Sequence, residues 1–381
     1  MRVLCVDVGT GTQDIYLYDS QIDIENGFKL VVPAPTMMVR RRLKKATLAK
    51  KPVLLSGVTM GGGPSHWAAE DHIKAGLDLY ATPAAARSFN DDLQIVEGMG
   101  IKIIDMEEVD SIASDSVHIE MRDFDFQAIS NALATFGVSL HGLSAVAVAV
   151  FDHGAAPPGY SDRRFRFDYI RERIGENDRL STFAFRSEDV PQRMTRLQSV
   201  IDSAADVDAP LVVMDTAPAA VLGACQDLEV SSRRQTTVAN IGNFHTLAFQ
   251  LVSGRIGGVF EHHTGLLDAS NLDRLLKDLA GGTISNEAVY QDSGHGAYVR
   301  PTYRPASNGE GCQVAVTGPR RNLMRKSTLK PYFATPYGDM MLSGCFGLLA
   351  STADLLPNLA EPILSSMHGS GGSGTPPWEV E

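Results

Sequence analysis

Apolar positions near the start of the chain fall into three short runs separated by turn residues. Val3-Leu4-Cys5-Val6 is continuous, the pattern of a strand buried on both faces. Ile15-Tyr16-Leu17-Tyr18 returns after a Gly/Thr turn, and Phe28-Lys29-Leu30-Val31-Val32 follows Asn26-Gly27. These runs predict an antiparallel meander over residues 2–33. The same succession recurs after Thr236. A run through Ile241 meets an Asn/Gly/Thr turn, Leu247-Ala248-Phe249-Gln250-Leu251 follows, and a Ser253-Gly254 turn leads into residues 256–260. A repeat at this separation predicts two related halves.

Between and after the meanders the periodicity alternates between strand and helix. Runs at 51–56, 101–104, 145–151, 211–214 and 312–316 read as strands. Residues 82–90, 93–98, 126–136 and 272–279 read as helices, the third on apolar positions 126, 129, 132, 133 and 136. A Pro/Gly loop after residue 154 leads into a charged segment at 161–167. Two further helices are built of small residues, Ala219-Ala220-Val221-Leu222-Gly223-Ala224 and residues 342–350 around Gly344 and Gly347. Small residues let helices approach one another closely.

The charge balance narrows the partners. A net charge of −11 argues against a nucleic-acid or anionic-membrane binder, since a basic stretch at 40–51 is better read as a solvated helix face. No run of about eighteen apolar residues occurs, so no membrane span is expected. The chain opens directly on a strand, and no secretion leader is read. Cys5, Cys225, Cys312 and Cys345 lie far apart with no CxxC pair, the usage of a reduced, cytoplasmic protein. From Met367 the chain is rich in Gly and Ser and is read as a flexible tail.

Chemistry gathers where strands end. Asp7 closes the first strand and leads into Val8-Gly9-Thr10-Gly11-Thr12-Gln13. An acid there is costly unless a cation uses it. Two glycines bring backbone N–H groups close to a ligand, and the Thr and Gln side chains add donors. The turn reads as a cradle for phosphate and Mg²⁺, with an ordinary Gly-rich hairpin as the alternative. Gly61-Gly62-Gly63 follows the strand at 51–56 and precedes a helix, either an anion or substrate loop or a flexible connection. Asp152-His153 ends the Ala/Val strand at 145–151, the usual place for ligand chemistry in α/β sheets. His66, His72, His153, His245, His262, His263 and His295 all sit in loop-like segments, without the HxH or HExxH spacing of a specific metal site. Glu261, His262, His263 and His153 are expected to face a common cleft and touch a substrate.

Taken in order, five segments resemble the motifs of the actin/Hsp70/sugar-kinase ATPase superfamily. They are Asp7 to Gln13, Asp215 to Ala224, Asn240-Ile241-Gly242-Asn243-Phe244-His245-Thr246, Val314-Ala315-Val316-Thr317-Gly318-Pro319, and the helix at 342–350. The resemblance implies an α/β fold of two ribonuclease-H-like half-domains with a nucleotide cleft between them. The halves would span 1–236 and 237–365, with a tail at 366–381. It implies ATP and Mg²⁺ as cofactors. Gly9, Thr10, Gly11, Thr12, Gln13, Gly242, Asn243, His245 and Thr246 would hold phosphates. Thr317, Gly318 and Pro319 would hold adenosine, and Asp7 would hold the metal. Asp7, Asp215 and Asn240 become the catalytic candidates, with Asp215 as base or water-orienting acid. Asn240 stands where the superfamily often has Asp, which makes binding better supported than turnover. Gly61, Gly62, Gly63, Asp152, His153, Glu261, His262 and His263 would form the substrate side. The implied activity is ATP hydrolysis or phosphoryl transfer to a small molecule. An ATP-dependent activator of a partner protein, or a nucleotide-binding regulator without turnover, are the alternatives.

The segments Met60-Gly61-Gly62-Gly63-Pro64, Glu261-His262-His263-Thr264-Gly265 and Gly338-Asp339-Met340-Met341-Leu342 further resemble a prokaryotic family labelled as pyruvate formate-lyase activating proteins. Radical chemistry of that kind needs three closely spaced cysteines for an iron–sulfur cluster, and this sequence has no such group.

Overall fold

The computed structural model describes residues 1–306, 313–369 and 376–379. Three apolar runs and their turns form the predicted meander, β1 (Arg2–Val8), β2 (Thr12–Asp19) and β3 (Phe28–Pro33). Helix α1 (Pro35–Leu48) then carries the basic stretch, with Arg41, Arg42, Lys44 and Lys45 exposed and Val39, Leu43 and Ala46 buried. It leads into a small parallel sheet of β4 (Val53–Gly57), β5 (Leu79–Ala81), β6 (Lys102–Ile103) and β7 (Val117–Met121), in the order β6-β5-β4-β7. Helix α2 (Pro64–Lys74) follows the three glycines in this insertion. The chain then rejoins the first sheet through β8 (Ala145–Val150), β9 (Ala184–Arg186) and β10 (Leu211–Asp215).

The first sheet runs β3-β2-β1-β8-β10-β9. The second contains β11 (Gln235–Ile241), β12 (His245–Val252), β13 (Arg255–His263), β14 (Gly296–Val299), β15 (Val314–Thr317) and β16 (Tyr332–Phe333), in the order β14-β13-β12-β11-β15-β16. Both sheets repeat one plan. A three-strand antiparallel meander presents its first strand to a parallel neighbour, β1 to β8 and β11 to β15. A second parallel strand lies beyond, β10 or β16. This is the ribonuclease-H-like order, used twice, and it makes the architecture that of an actin-like ATPase.

The charged segment at 161–167 opens helix α3 (Asp162–Glu176). Its apolar residues are spaced for one face, with Phe167, Ile170 and Ile174 buried, and Arg166 is buried beside them. Ser366 and Met367, grouped above with the tail, close the last long helix (Pro357–Met367). Ser366 Oγ lies 2.7 Å from the Tyr18 hydroxyl. The rest of the expected tail at 370–375 and 380–381, and Cys312 at the start of the expected strand 312–316, lie outside the described residues. Among the described residues no helix is long and apolar enough to cross a membrane.

The two halves are joined by helices that exchange sides. Helix α4 (Thr216–Ala224) leaves the first sheet after β10 yet packs on β11, β12 and β15 of the second. Helix α5 (Ser343–Leu355) comes from the second half and packs on β1, β8, β9 and β10 of the first. They cross backbone to backbone. A Cβ on Gly223 would lie 1.6 Å from the Ser343 carbonyl oxygen, and one on Gly347 would lie 1.9 Å from that of Ala219. One apolar core runs through the crossing, from Val3, Ala147 and Val212 to Leu348, Val238 and Phe249.

The crossing has no room for a side chain. Gly347→Val should destabilise the protein by about 1–3 kcal/mol or more, because backbone cannot yield as a flexible side chain can. Gly175→Ala, at a helix position with open space around it, should be neutral or stabilising by up to about 1 kcal/mol. Urea denaturation of the two variants checks the contrast.

Candidate active site

The two meanders place two matching turns across a cleft with a cavity volume of about 310 Å³. In the first turn Gly9 N–H donates to the Thr12 carbonyl at 2.9 Å, and in the second Gly242 N–H donates to the His245 carbonyl at 2.9 Å. The turns thus correspond residue for residue, Asp7 to Asn240, Gly9 to Gly242 and Thr12 to His245. They also come close to one another, since a Cβ on Gly11 would lie 3.0 Å from Asn243 Nδ2. Asp7, Gly9, Thr10, Gly11, Thr12, Asn240, Gly242, Asn243 and His245 all line the cleft. Thr317, Gly318 and Pro319 line it from the end of β15. Gly318 adopts φ +94°, and a Cβ there would sit 2.5 Å from Asn240 Oδ1. Only glycine fits that backbone and that approach.

Gln13 and Thr246 do not join them. A strand's side chains alternate between faces, so the residue after each turn's last cleft position turns away. Gln13 Nε2 reaches toward the Pro33 carbonyl, and the Thr246 hydroxyl is buried 2.9 Å from that of Thr264.

The register adds a residue that inspection of the motif overlooked. Asp14 lies directly opposite Asp7 across the hairpin and also lines the cleft. A four-residue turn between Val8 and Gln13 fixes that pairing, so the signal was in the sequence. Asp7 Oδ1 accepts from the Thr216 hydroxyl at 2.5 Å, at the start of α4. Its other oxygen lies against Gly344 in the first turn of α5, where a Cβ would come within 1.8 Å of it. Asp14 Oδ1 is buried with no hydrogen-bond partner. Burial pushes Asp7 up to about 7 and Asp14 up to about 8, with the charge of Asp7 adding to the second shift.

The other acids expected to act are already committed. Asp215 accepts from Arg166 Nη1 at 2.6 Å and from Arg166 Nη2 at 3.3 Å, and caps α4 through the Ala217 amide. It does not line the cleft, so its expected role as base is corrected. Arg166 also holds both oxygens of Glu261, at 3.0 and 2.9 Å. This fully buried Arg–Asp–Glu group joins β10 to β13 across the two halves. Asp152 lines the cleft, but its two oxygens accept from the Gly154 and Leu197 amides, both at 2.8 Å. Glu261, His262 and His263 are likewise corrected, since none lines the cleft. Alternation along β13 puts Glu261 and His263 on one face, and sends His262 to the other, 3.7 Å from Asp292.

The glycine loop forms the far wall. Gly61 N–H points at both Asp123 oxygens, which also receive Arg196 Nε at 2.6 Å and Nη2 at 3.0 Å. A Cβ on Gly61 would strike Arg196, one on Gly62 the Ser88 carbonyl, and one on Gly63 the ring of Phe244. The three glycines are therefore required by protein neighbours as well as by the cleft they face. Phe244 belongs to the second turn, so this wall touches the opposite half. Arg87, Ser88 and Asp91 continue it.

A family model described as "Putative pyruvate format-lyase activating enzyme (DUF1786)" matches residues 60–323. The chain belongs to that family. No curated protein matches it. Among solved structures, the activator of the 2-hydroxyisocaproyl-CoA dehydratase from Clostridium difficile, with bound ADPNP, covers 100% of this chain and 98% of its own at 9% identity and a TM-score of 0.31. A ROK hexokinase from Thermus thermophilus covers 92% of this chain and 98% of its own at 11% identity and 0.31. The ethanolamine utilization protein EutJ from Carboxydothermus hydrogenoformans covers 91% and 89% at 10% identity and 0.33. Superpositions this loose place no residue of the cleft, and the duplicated strand order carries the fold. In this member of the family Cys5 and Cys345 are buried with their thiols pushed far up by burial. Such thiols are inert, and no two of the four cysteines lie close together in the sequence.

The acidic pair has a pH signature in the metal-free protein. The folded state holds the Asp14 proton up to about 8, whereas an unfolded Asp releases it near ~3.9. The native state therefore loses stability as pH rises between those values. Asp14→Asn removes that loss. Measured in chelator, its gain in melting temperature over wild type should be near zero at pH 4 and grow steadily to pH 8. A gain independent of pH would contradict the buried-acid assignment.

Proposed function

We propose that the cleft binds Mg·ATP with the triphosphate between the two turns and passes the terminal phosphoryl group to a small polar molecule or to water. The observation that carries this reading is the paired turn geometry. Two matching Gly N–H to carbonyl closures face each other, and Thr10, Thr12 and Asn243 line the space between them. Phosphoryl transfer depends mainly on position and charge stabilisation, which preorganised donors on two sides supply.

The acidic pair fits a hard divalent cation. Two carboxylates stand opposite each other at the cleft floor, and one oxygen has no partner. Asp7 and Asp14 would hold Mg²⁺ as oxygen ligands. Bound there, the ion would neutralise phosphate charge. With Asp215 held by Arg166 and Asp152 held by backbone amides, the same pair retains the free acceptor capacity at the phosphate end. Thr317, Gly318 and Pro319 would pack against the nucleoside. The wall of Gly61–Gly63, Arg87, Ser88, Asp91 and Arg196 supports an acceptor pocket beyond the phosphates, a feature that favours phosphoryl transfer over activation of a partner protein.

Calorimetric titration with ATP and Mg²⁺ tests the reading. Saturable binding is expected, and absence of heat at millimolar ATP would sink it. Asp7→Asn should weaken Mg²⁺-dependent ATP binding by about ten- to hundredfold, the loss expected for one charged partner. Its affinity without Mg²⁺ should change little. Phosphate release with panels of small polar metabolites then identifies the acceptor.

A further inference from the structure

Four imidazoles meet beside the second turn, although the sequence spreads them over more than a third of the chain. His153 follows β8, His245 begins β12, His263 ends β13 and His295 precedes β14. His245 and His263 are direct partners in the sheet. Ring centroids lie 5.0 Å apart for His245–His263 and His245–His295, 4.8 Å for His263–His295, and 5.9 Å for His153–His295.

Close packing of rings alone would be an aromatic cluster. The nitrogens say otherwise. Both ring nitrogens of His295 and Nε2 of His245 are buried without a hydrogen-bond partner, and His295 is only 2% exposed. Buried polar atoms are normally paired, so several orphans gathered in one place mark a missing partner. His153, His245 and His295 each offer a ligand nitrogen, and these three atoms all lie within 4.8 Å of one another. Some point is then within about 2.8 Å of all three, and modest ring rotation brings it to the ~2.0–2.1 Å of a metal–imidazole bond. Burial, helped by the Arg166 charge, holds these rings in the neutral form that presents a lone pair. Below them Phe151 stacks on His245 at 4.2 Å and on the Arg166 guanidinium at 3.8 Å. Two carboxylates, Asp215 and Glu261, share that one guanidinium and hold it in place beneath the rings.

We propose that His153, His245 and His295 form a three-imidazole site for a divalent first-row transition metal that bridges the two halves of the cleft. Imidazole donors suit Zn²⁺, Fe²⁺, Co²⁺ or Cu²⁺, not Mg²⁺. His153 and His245 line the cleft, so a fourth coordination position would open toward it, the arrangement of a site that takes water or substrate. The site is separate from the acidic pair in ligand type and in metal preference. His245 is also part of the second turn, so the metal would fix the geometry of that turn.

The test is titration of chelator-treated, nucleotide-free protein with Zn²⁺, and with Co²⁺ as a spectroscopic probe, in excess Mg²⁺. One equivalent should bind, and Co²⁺ should give visible ligand-field bands. His295→Ala and His153→Ala should each weaken Zn²⁺ binding by more than about a hundredfold, the upper end of what loss of a mere supporting group costs. His66→Ala, outside the cluster, should leave it unchanged. His153→Ala lies in a loop, so the proposal stays testable if His295→Ala does not fold. No stoichiometric binding, binding retained in both cluster variants, or displacement by Mg²⁺ would each overturn it. Because no nucleotide is present, failure here would leave the ATP reading untouched, and failure to bind ATP would leave this one untouched.

Discussion

The backbone contact between α4 and α5 is the constraint on which the rest of the molecule depends. Each helix springs from one half and packs on the sheet of the other. The distance between their axes therefore sets the distance between the two sheets, and with it the separation of the two turns. Gly223 and Gly347 make that distance as small as backbone permits. Gly344, one turn earlier on α5, lets the Asp7 carboxylate lie against the helix start. The same small-residue helix thus fixes both the spacing of the halves and the position of the cleft's principal acid. A chain that changes the cleft must do so by sliding or rotating at this crossing, as packed helices do in shear motions.

The fold was legible because its signals were local and repeated. Buried strands read as continuous apolar runs, turns announced themselves through Asn26-Gly27 and Ser253-Gly254, and the second meander repeated the first. The small residues of α4 and α5 could be read as close-packing helices before their partner was known. The helix that opens at Asp162 was not read from the sequence, because Arg163, Arg164 and Arg166 outweigh the apolar face that begins with Phe167. Arg166 is buried only because Asp215 and Glu261, 49 and 95 residues away, come to meet it. A buried ion pair of that separation leaves no local pattern.

The site was legible to the extent that it lies in the turns. Alternation then decided what pattern matching could not. Gln13, Thr246 and His262 carry suitable chemistry but point to the wrong face of their strands, and Asp14 points to the right one. The register of a tight hairpin determines this, so the correction was available from the turn length. The histidines are a different case. His153, His245, His263 and His295 come from four separate elements, and only the pairing of β12 with β13 and the closure of the two halves unites them. No spacing in the sequence records that meeting.

The duplicated turns also differ in the side chains they bring to the cleft. Position by position, the first half has Asp7, Thr12 and Asp14, and the second has Asn240, His245 and Leu247. The first set is oxygen-rich and acidic, suited to a hard cation. The second replaces both acids with uncharged groups and the hydroxyl with an imidazole. Had both halves kept their acids, four carboxylates would face one narrow cleft, and their mutual repulsion would oppose binding of a triphosphate. Loss of charge on one side removes that cost and leaves Asn240 free to approach Gly318. It also leaves His245 with a nitrogen that no protein group satisfies. A neutral turn can tolerate a buried imidazole where an acidic turn would have protonated it. The asymmetry between Asp7 and Asn240 is therefore not a weakened copy of one site. On the proposed reading, it is the condition under which the second turn would accept anionic phosphate on one side and carry neutral histidine ligands on the other.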